Sequence, residues 1–307
     1  MINAKKTLTV LGKGVWGTAL GTLASRNNHQ VHLWSRSNEV NLSEALAAEV
    51  IVSAVSMAGV LPTIERVAAS NLPENTIIVT ATKGLDFATT LTPSQIWQAA
   101  FPNHTVAVLS GPNLSKEIQK GLPAATVVAS SNLEAAKTVQ QLYSSENFRV
   151  YINDDPLGTE LGGTLKNVMA IAAGVCDGLE LGTNAKSGLL TRALPEMIRV
   201  GSQLGAKVET FFGLSGLGDL LATCNSPLSR NYQVGYRLGK GQTLKQILED
   251  LEGTAEGVNT TQVLIKIAKQ EQLSVPIAQQ VDQLLKSKTT PQEAVQALME
   301  RRLKVEN

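Results

Sequence analysis

Apolar positions in the first half of the chain gather in short runs rich in β-branched residues: Thr7–Leu11 (TLTVL), Val31–Trp34, Val50–Val55, Ile77–Thr80 and Val106–Leu109. Runs of this length and composition predict strands buried on both faces of a sheet. Ala125–Ala129 and Arg149–Tyr151 are shorter runs of the same kind. Between them lie stretches of helical character at Thr18–Ser25, Ala58–Ala69, Pro93–Ala100 and Leu133–Leu142. Strand and helix in alternation predict a doubly wound, mostly parallel sheet that binds its ligands at the carboxyl ends of the strands. After Tyr151 the strand signal fades. Helical patterns then follow at Asp155–Cys176, Asn184–Leu204, Ser229–Leu238, Leu244–Leu251, Gly257–Gln270, Ala278–Leu285 and Pro291–Leu303. The change of pattern sets a boundary near 151–154, with an α/β domain over 1–152 and an all-α domain over 153–307.

The first strand runs into Gly12-Lys13-Gly14-Val15-Trp16-Gly17 and then a helix. In a strand–loop–helix setting this GxGxxG spacing has a mechanical reading. Gly12 permits a tight turn, Gly14 lets the backbone approach a pyrophosphate, and Gly17 lets helix and strand pack closely, as in Rossmann-type dinucleotide-binding folds. The bound anion sits at the helix N-terminus, where free N–H groups and the helix dipole favour it. At the end of the second strand a reader of the ribose 2′-hydroxyl would be acidic, but the chain has Ser35-Arg36. An arginine there suits a 2′-phosphate, so NADP(H) is expected to be accepted, alone or along with NAD(H); a solvated surface arginine is the alternative. Two further strand ends carry polar motifs, Thr80-Ala81-Thr82-Lys83-Gly84 and Ser110-Gly111-Pro112-Asn113-Leu114-Ser115-Lys116-Glu117. Lys83 is either a solvated loop lysine or a contact to cofactor or an anionic substrate.

In the second half, Asp154–Gly174 sets one lysine, Lys166, among apolar and small residues. Asp154 or Asp155 can cap this helix and Pro156 suits its first turn. Gly158, Gly162 and Gly163 each cost roughly 1 kcal/mol in a helix interior, which predicts a close approach by the cofactor domain or a ligand. A packed helix with a snorkelling lysine is the plain alternative. Gly213–Cys224 (GLSGLGDLLATC) is a glycine-rich turn entering a helix, with Asp219 either capping it or serving chemistry. Ser229 then caps a further helix whose first turn holds Arg230 and Asn231. A cation at that end opposes the helix dipole, and the placement makes sense where an anion binds the same terminus.

Composition excludes more than it identifies. The 307 residues are 43% hydrophobic and 17% charged with a formal net charge of +1, which predicts no nucleic-acid or membrane-surface footprint. No apolar run approaches the about 20 residues of a membrane span, and no secretory core follows Lys5 and Lys6, so a cytoplasmic location is expected. Cys176 and Cys224 are far apart in sequence and read as reduced structural thiols. His29, His32 and His104 lack metal-site spacing, and no metal is expected.

With the glycine loop, TKG, SGPNLSKE, GTLKN, GLGDLLATC, SRNYQVG and AEGVNT in this order, the chain resembles the NAD(P)-dependent glycerol-3-phosphate dehydrogenase family over nearly its whole length. GKGVWGTA matches the family's GxGxWGTA, with Val15 and Trp16 beside the cofactor glycines. The resemblance implies that Lys166 is the catalytic lysine. It implies that Lys83, Gly111, Asn113, Lys166, Asp219, Ser229, Arg230 and Asn231 bind substrate. Gly12, Gly14, Val15, Trp16, Gly17, Arg36, Lys83, Ser115, Arg230 and Glu256 would bind NADH or NADPH. It further implies reduction of dihydroxyacetone phosphate to sn-glycerol 3-phosphate for the glycerophospholipid backbone, and a homodimer. Lys166 would exchange a proton with the substrate oxygen, with Asp219 orienting it or a substrate hydroxyl. A nearby cation such as Lys186, in a stretch resembling the family's NAK, would lower its pKa. The chain departs from the family between its second and third strands, where Arg36 leads to Val50 through SNEVNLSEALAAE. It departs again at Asn113 and Ser115, and at Val55-Ser56 in place of Val-Pro. NADH and NADPH therefore both stay open. Two rival readings share the architecture: a reductase of another hydroxy or keto acid, as in the 6-phosphogluconate and ketopantoate reductase groups, and a dinucleotide sensor without turnover.

Overall fold

Seven strands make one sheet in the order β2-β1-β3-β4-β5-β6-β7. They are β1 (Thr7–Leu11), β2 (Gln30–Trp34), β3 (Val50–Ser53), β4 (Ile77–Thr80), β5 (Val106–Ser110), β6 (Ala124–Ala129) and β7 (Phe148–Asn153) in a computed structural model that describes residues 5–37, 41–302 and 305. Strands β1 to β5 are parallel, whereas β6 runs antiparallel to β5 and β7 follows β6 in parallel. The inversion has a chain-length cause. Residues 111–123 contain only the short helix Ser115–Gln119, too little chain to retrace a strand, so β6 turns back beside β5.

Helices cover both faces of the sheet: α1 (Val15–Arg26), α2 (Leu42–Ala45), α3 (Val60–Ala68), α4 (Pro93–Ala100), α5 (Ser115–Gln119) and α6 (Leu133–Tyr143). Strand side chains alternate between the two layers. Leu8, Val10, Val50, Val52 and Val79 pack with Ala19 and Leu20 of α1 and Val139 and Leu142 of α6. Leu11, Ile51 and Ile78 pack with Val60 and Ile64 of α3 and Trp97 of α4. This two-sided burial is why the strands read as continuous apolar runs. Helix α3 begins later than the predicted Ala58 because a 3₁₀ turn, Met57–Gly59, precedes it.

The remaining elements are α7 (Pro156–Gly178), α8 (Gly182–Gln203), α9 (Val208–Phe211), a π-turn at Leu214–Gly218, α10 (Asp219–Cys224), α11 (Arg230–Gly239), α12 (Leu244–Asp250), α13 (Glu256–Gln270), α14 (Pro276–Leu285) and α15 (Pro291–Met299). The last predicted helix ends at Met299, and its predicted terminus at Leu303 lies outside the described residues. Helix α7 is the central post, with Leu161, Leu165, Val168, Met169 and Ile171 in a core shared with Met197, Leu220, Val234 and Leu264. Asp155 caps it, its Oδ1 accepting from Gly158 N at 2.8 Å, while Asp154 pairs instead with Lys207 on the surface.

Helix α11 crosses α7 at backbone contact. A Cβ on Gly174 would land on the Tyr232 carbonyl oxygen, and one on Gly235 would land on the Ile171 carbonyl oxygen. Neither carbonyl can retreat without breaking its helix. The variant Gly235→Val is expected to cost roughly 3 kcal/mol, seen as a lower urea midpoint with an unchanged slope.

Candidate active site

Each glycine of the first loop has a distinct job in the structure. Gly12 has φ +113° and sits where a Cβ would be 2.8 Å from the Ala54 carbonyl oxygen. A Cβ on Gly17 would land on the Gly12 carbonyl oxygen, so helix α1 and strand β1 need glycine there to pack. A Cβ on Gly14 would meet nothing within 4 Å, and this glycine stands at the N-cap of α1 without a side-chain cap. Open space above uncapped N–H groups at a helix start is the arrangement a pyrophosphate requires, so these residues fit a dinucleotide. Val15 is 57% exposed beside that opening. Trp16 donates its indole N–H to the Ala81 carbonyl at 3.3 Å, which ties the loop to the segment leading to Lys83. Arg36 is exposed just beyond β2.

Two lysines and one carboxylate form the centre of the candidate site. Asp219 Oδ2 accepts from Lys83 Nζ at 2.5 Å, and Asp219 Oδ1 lies 3.1 Å from Lys166 Nζ. Lys83 also donates to the Gly111 carbonyl at 3.1 Å, and Lys166 donates to Thr223 Oγ1 at 2.5 Å. Thr223 Oγ1 in turn donates to Asp219 Oδ1 at 3.1 Å. Lys166 is 6% exposed and Asp219 2%. Burial pushes the Lys166 ammonium down to about 8, reinforced by the charge of Lys83 and opposed by Asp219. Two ammonium groups share one carboxylate, leaving surplus positive charge to receive an anion. An ammonium so depressed is still mostly charged at pH 7 and is a stronger acid than an ordinary lysine.

Three chain segments make this possible. Gly163 on α7 is where Ser110 Oγ would meet a Cβ, and Lys83 Cε would be 3.5 Å from it. Gly162 abuts the turn at Ser215 and Gly216, and Gly158 abuts the Asp155 cap and Thr210. Only Gly163 thus admits the sheet domain, whereas the other two serve packing inside the helical body. The π-turn Leu214–Gly218, closed by Gly218 N to Gly213 O at 3.1 Å, delivers Asp219 as the first residue of α10. Its carboxylate faces the lysines, and Gly218 occupies the N-cap.

The cation that acts most strongly on Lys166 is Lys83, and Lys186 is engaged elsewhere. Lys186 is held by Asp177 Oδ2 at 2.6 Å, which also accepts from the Tyr232 hydroxyl at 2.6 Å. Sequence spacing does not show this, since Lys83 comes from the other half of the chain. Thr223 is the site residue that sequence reasoning misses, and its only signal is its place four residues after Asp219 on one helix face.

A second cluster gathers at the start of α11. Ser229 Oγ caps the helix by accepting from Tyr232 N at 3.2 Å. Asn231 Oδ1 accepts from Gly257 N at 2.9 Å, and a Cβ on Gly257 would be 2.7 Å from the Asn167 carbonyl oxygen, next to Lys166. Arg230 is exposed at the helix start, its guanidinium against Gly253. Glu256 Oε1 crosses to the sheet domain and accepts from Met57 N at 3.2 Å; burial raises its pKa, while the Met57 N–H and the charge of Arg230 lower it. On the opposite flank, Asn113 Nδ2 donates to Thr126 Oγ1 at 2.9 Å, and Ser115 is the first residue of α5.

Glu160, near the start of α7, is 2% exposed and accepts from Ser94 N at 3.0 Å and from Ser94 Oγ. Burial raises its carboxyl to about 7. Both cysteines are free and buried, with the Cys224 thiol pushed up to about 12 by burial. Among the described residues no cluster of His, Cys, Asp and Glu could hold a metal, and no helix is long and apolar enough to cross a membrane.

Known proteins with this architecture are numerous, and several match end to end. The family model for the NAD-dependent glycerol-3-phosphate dehydrogenase N-terminus matches residues 7–41 and 37–136, and the model for the C-terminus of the same family matches 155–296. Glycerol-3-phosphate dehydrogenase (NAD(P)+) of Acaryochloris marina is 64% identical over 300 residues, covering 97% of each chain. The protein of the same name from Synechocystis is 62% identical, covering 97% of this chain and 95% of its own. The crystal structure of glycerol-3-phosphate dehydrogenase from Coxiella burnetii superposes with a TM-score of 0.92 at 34% identity, covering 97% of this chain and 99% of that one. A ketopantoate reductase from Ralstonia eutropha reaches a TM-score of 0.59 at 10% identity over 94% of this chain and 99% of its own, a likeness of fold alone. The glycine loop, the paired lysines on Asp219 and the full-length similarity agree, and the chain belongs to the NAD-dependent glycerol-3-phosphate dehydrogenase family.

Proposed function

We propose that Lys166 is the proton-transfer group of an NAD(P)H-dependent reduction of dihydroxyacetone phosphate to sn-glycerol 3-phosphate. The observation that carries this is the buried Lys166–Asp219–Lys83 cluster, tied through Ala81 and Trp16 to a glycine loop that fits a dinucleotide. A nicotinamide held by the glycine-loop side would supply the hydride to the carbonyl carbon. As charge develops on the carbonyl oxygen, the Lys166 ammonium donates its proton there, and the neutral amine takes the hydroxyl proton in the oxidative direction. Asp219 orients Lys166 through Oδ1 and holds Lys83 through Oδ2. Arg230, Asn231 and the N-terminal amides of α11 receive the substrate phosphate, for which a cation at a helix start is suited. Gly111 and Asn113 close the flank toward β5, and Ser229 shapes the helix start by capping it.

On the cofactor side, Gly12, Gly14, Val15, Trp16 and Gly17 frame the pyrophosphate. Arg36 faces the adenine ribose end, Ser115 and Lys83 border the crevice, and Glu256 and Arg230 approach from the helical body. The enzyme uses NADH and NADPH and serves glycerophospholipid synthesis. A homodimer, which rests on the family resemblance, and a cytoplasmic location, which rests on the sequence pattern, complete the reading. The domain division at 152/153 lies one residue before the end of β7 at Asn153, close to the passage into α7, and separate hydrophobic cores support it.

Oxidation of NADH and NADPH, followed in parallel with dihydroxyacetone phosphate and with ketopantoate, tests the proposal. Turnover is expected with dihydroxyacetone phosphate only. In Arg36→Ala the KM for NADPH is expected to rise on the order of tenfold more than that for NADH; an equal loss would remove Arg36 from 2′-phosphate recognition. A nicotinamide fluorescence change without consumption would instead indicate a sensor.

A further inference from the structure

The segment that carries Lys83 belongs to the sheet domain by sequence, yet the helical body holds it. On the sheet side, Thr82 Oγ1 donates to the Val55 carbonyl at 2.8 Å and Lys83 Nζ reaches the Gly111 carbonyl at 3.1 Å. Between Gly84 and Ala88, the hydrogen bonds that leave the segment for the helical body run to α7 and α13. Gly84 N donates to Thr164 Oγ1 at 3.1 Å. Leu85 is fully buried in the core of the helical body, and its carbonyl accepts from Asn259 Nδ2 at 2.9 Å. Lys266 Nζ donates to the Phe87 and Ala88 carbonyls at 3.2 and 3.0 Å. Thr164 stands two residues before Lys166 on α7, next to the Gly163 that leaves room for Lys83 Cε. One stretch of one helix therefore carries the Lys166 ammonium, the hydroxyl that anchors the backbone behind Lys83, and the space for the Lys83 side chain.

We propose that Thr164 and Asn259 are positioning residues that set Lys83 against Asp219 and Lys166. A lysine side chain is long and freely rotating, and it meets a fixed carboxylate in one geometry only when its own backbone is fixed. Loss of the Thr164 hydroxyl frees the backbone at Gly84 and lets Lys83 withdraw. The inference rests on Lys83 serving the substrate site.

Thr164→Val keeps the shape of the side chain and removes the acceptor, whereas Thr164→Ser keeps the acceptor. The valine variant is expected to lower kcat/KM for dihydroxyacetone phosphate roughly tenfold, and the serine variant to stay within about twofold of the parent. The alkaline limb of kcat/KM for reduction is expected to move to higher pH in Thr164→Val. Lys83 depresses Lys166, so its withdrawal lets the Lys166 pKa rise. In a Lys83→Met background, Thr164→Val is expected to cost less than about twofold more, because a residue that acts through Lys83 has nothing left to position. Asn259→Leu, on a partly exposed site that the fold tolerates more easily, is expected to show the same non-additivity. A repeat of the full tenfold loss in the Lys83→Met background, or a loss with no shift of the limb, would overturn the proposal in favour of simple packing. Parent-level kcat/KM in Lys83→Met alone would overturn it differently, by removing Lys83 from the site.

Discussion

Lys166→Met is expected to lower kcat for dihydroxyacetone phosphate reduction by roughly 10³-fold while leaving the affinity for NADH and NADPH close to that of the parent. General acid–base groups contribute roughly 10²–10⁴-fold, and a charged Lys166 in the proposed role would also stabilise the developing oxyanion. Methionine preserves the length and the burial of the side chain, so packing around α7 is retained. The pH dependence provides the sharper reading. Burial holds the Lys166 pKa near 8, and reduction needs the ammonium, so parent kcat/KM falls as pH rises through about 8. Oxidation of glycerol 3-phosphate needs the amine and rises over the same interval. Both limbs are expected to vanish in the variant, with cofactor binding followed by nicotinamide fluorescence. Turnover within tenfold of the parent would place the proton donor elsewhere.

Asp219→Asn is expected to damage both catalysis and stability. The carboxylate is the main group that raises the Lys166 pKa, with a smaller part from Cys224, whereas burial and Lys83 both lower it. Without that carboxylate the Lys166 pKa falls below about 8, so the alkaline limb of reduction moves to lower pH, opposite in sign to the shift expected for Thr164→Val. Catalytic efficiency is expected to drop on the order of 10²-fold near pH 7, because the Lys166 ammonium loses the group that orients it and less of it stays charged. Removing one partner from a buried ion pair costs about 3–5 kcal/mol, and the lower figure applies because Lys83 is partly solvated. Urea denaturation at several pH values checks the sign. The deficit is greatest where the parent holds Lys166 charged, and it narrows above about pH 8 as the parent too gives up that proton.

Much of the first half was legible because its signals are local. Five of the strands are apolar on both faces, and that leaves a continuous run that pattern alone detects. The glycine loop was legible for the same reason, since Gly12, Gly14 and Gly17 answer to contacts within one strand–turn–helix unit and its neighbour. Helices α2, α5 and α9 were not, because four or five residues hold no full period of hydrophobic positions. The inverted pair β6–β7 escaped as well. Its direction depends on how little chain spans 111–123, and apolar runs carry no sign of direction.

The candidate site divides along the same line. Sequence alone determined a glycine-loop sheet domain, a helical domain after it, a lysine embedded in a glycine-studded helix, and an arginine at a capped helix start, because each is a matter of spacing within one element. Tertiary structure decided which groups meet. It chose Lys83 over Lys186 as the neighbour of Lys166, placed Asp219 between the two lysines rather than at a cap, added Thr223, and turned Gly158 and Gly162 to packing while leaving Gly163 to face Lys83. Such pairings join residues from opposite halves of the chain, and their electrostatics depend on burial and on distances of about 3 Å, which exist only after the helical body has closed around the segment behind Lys83.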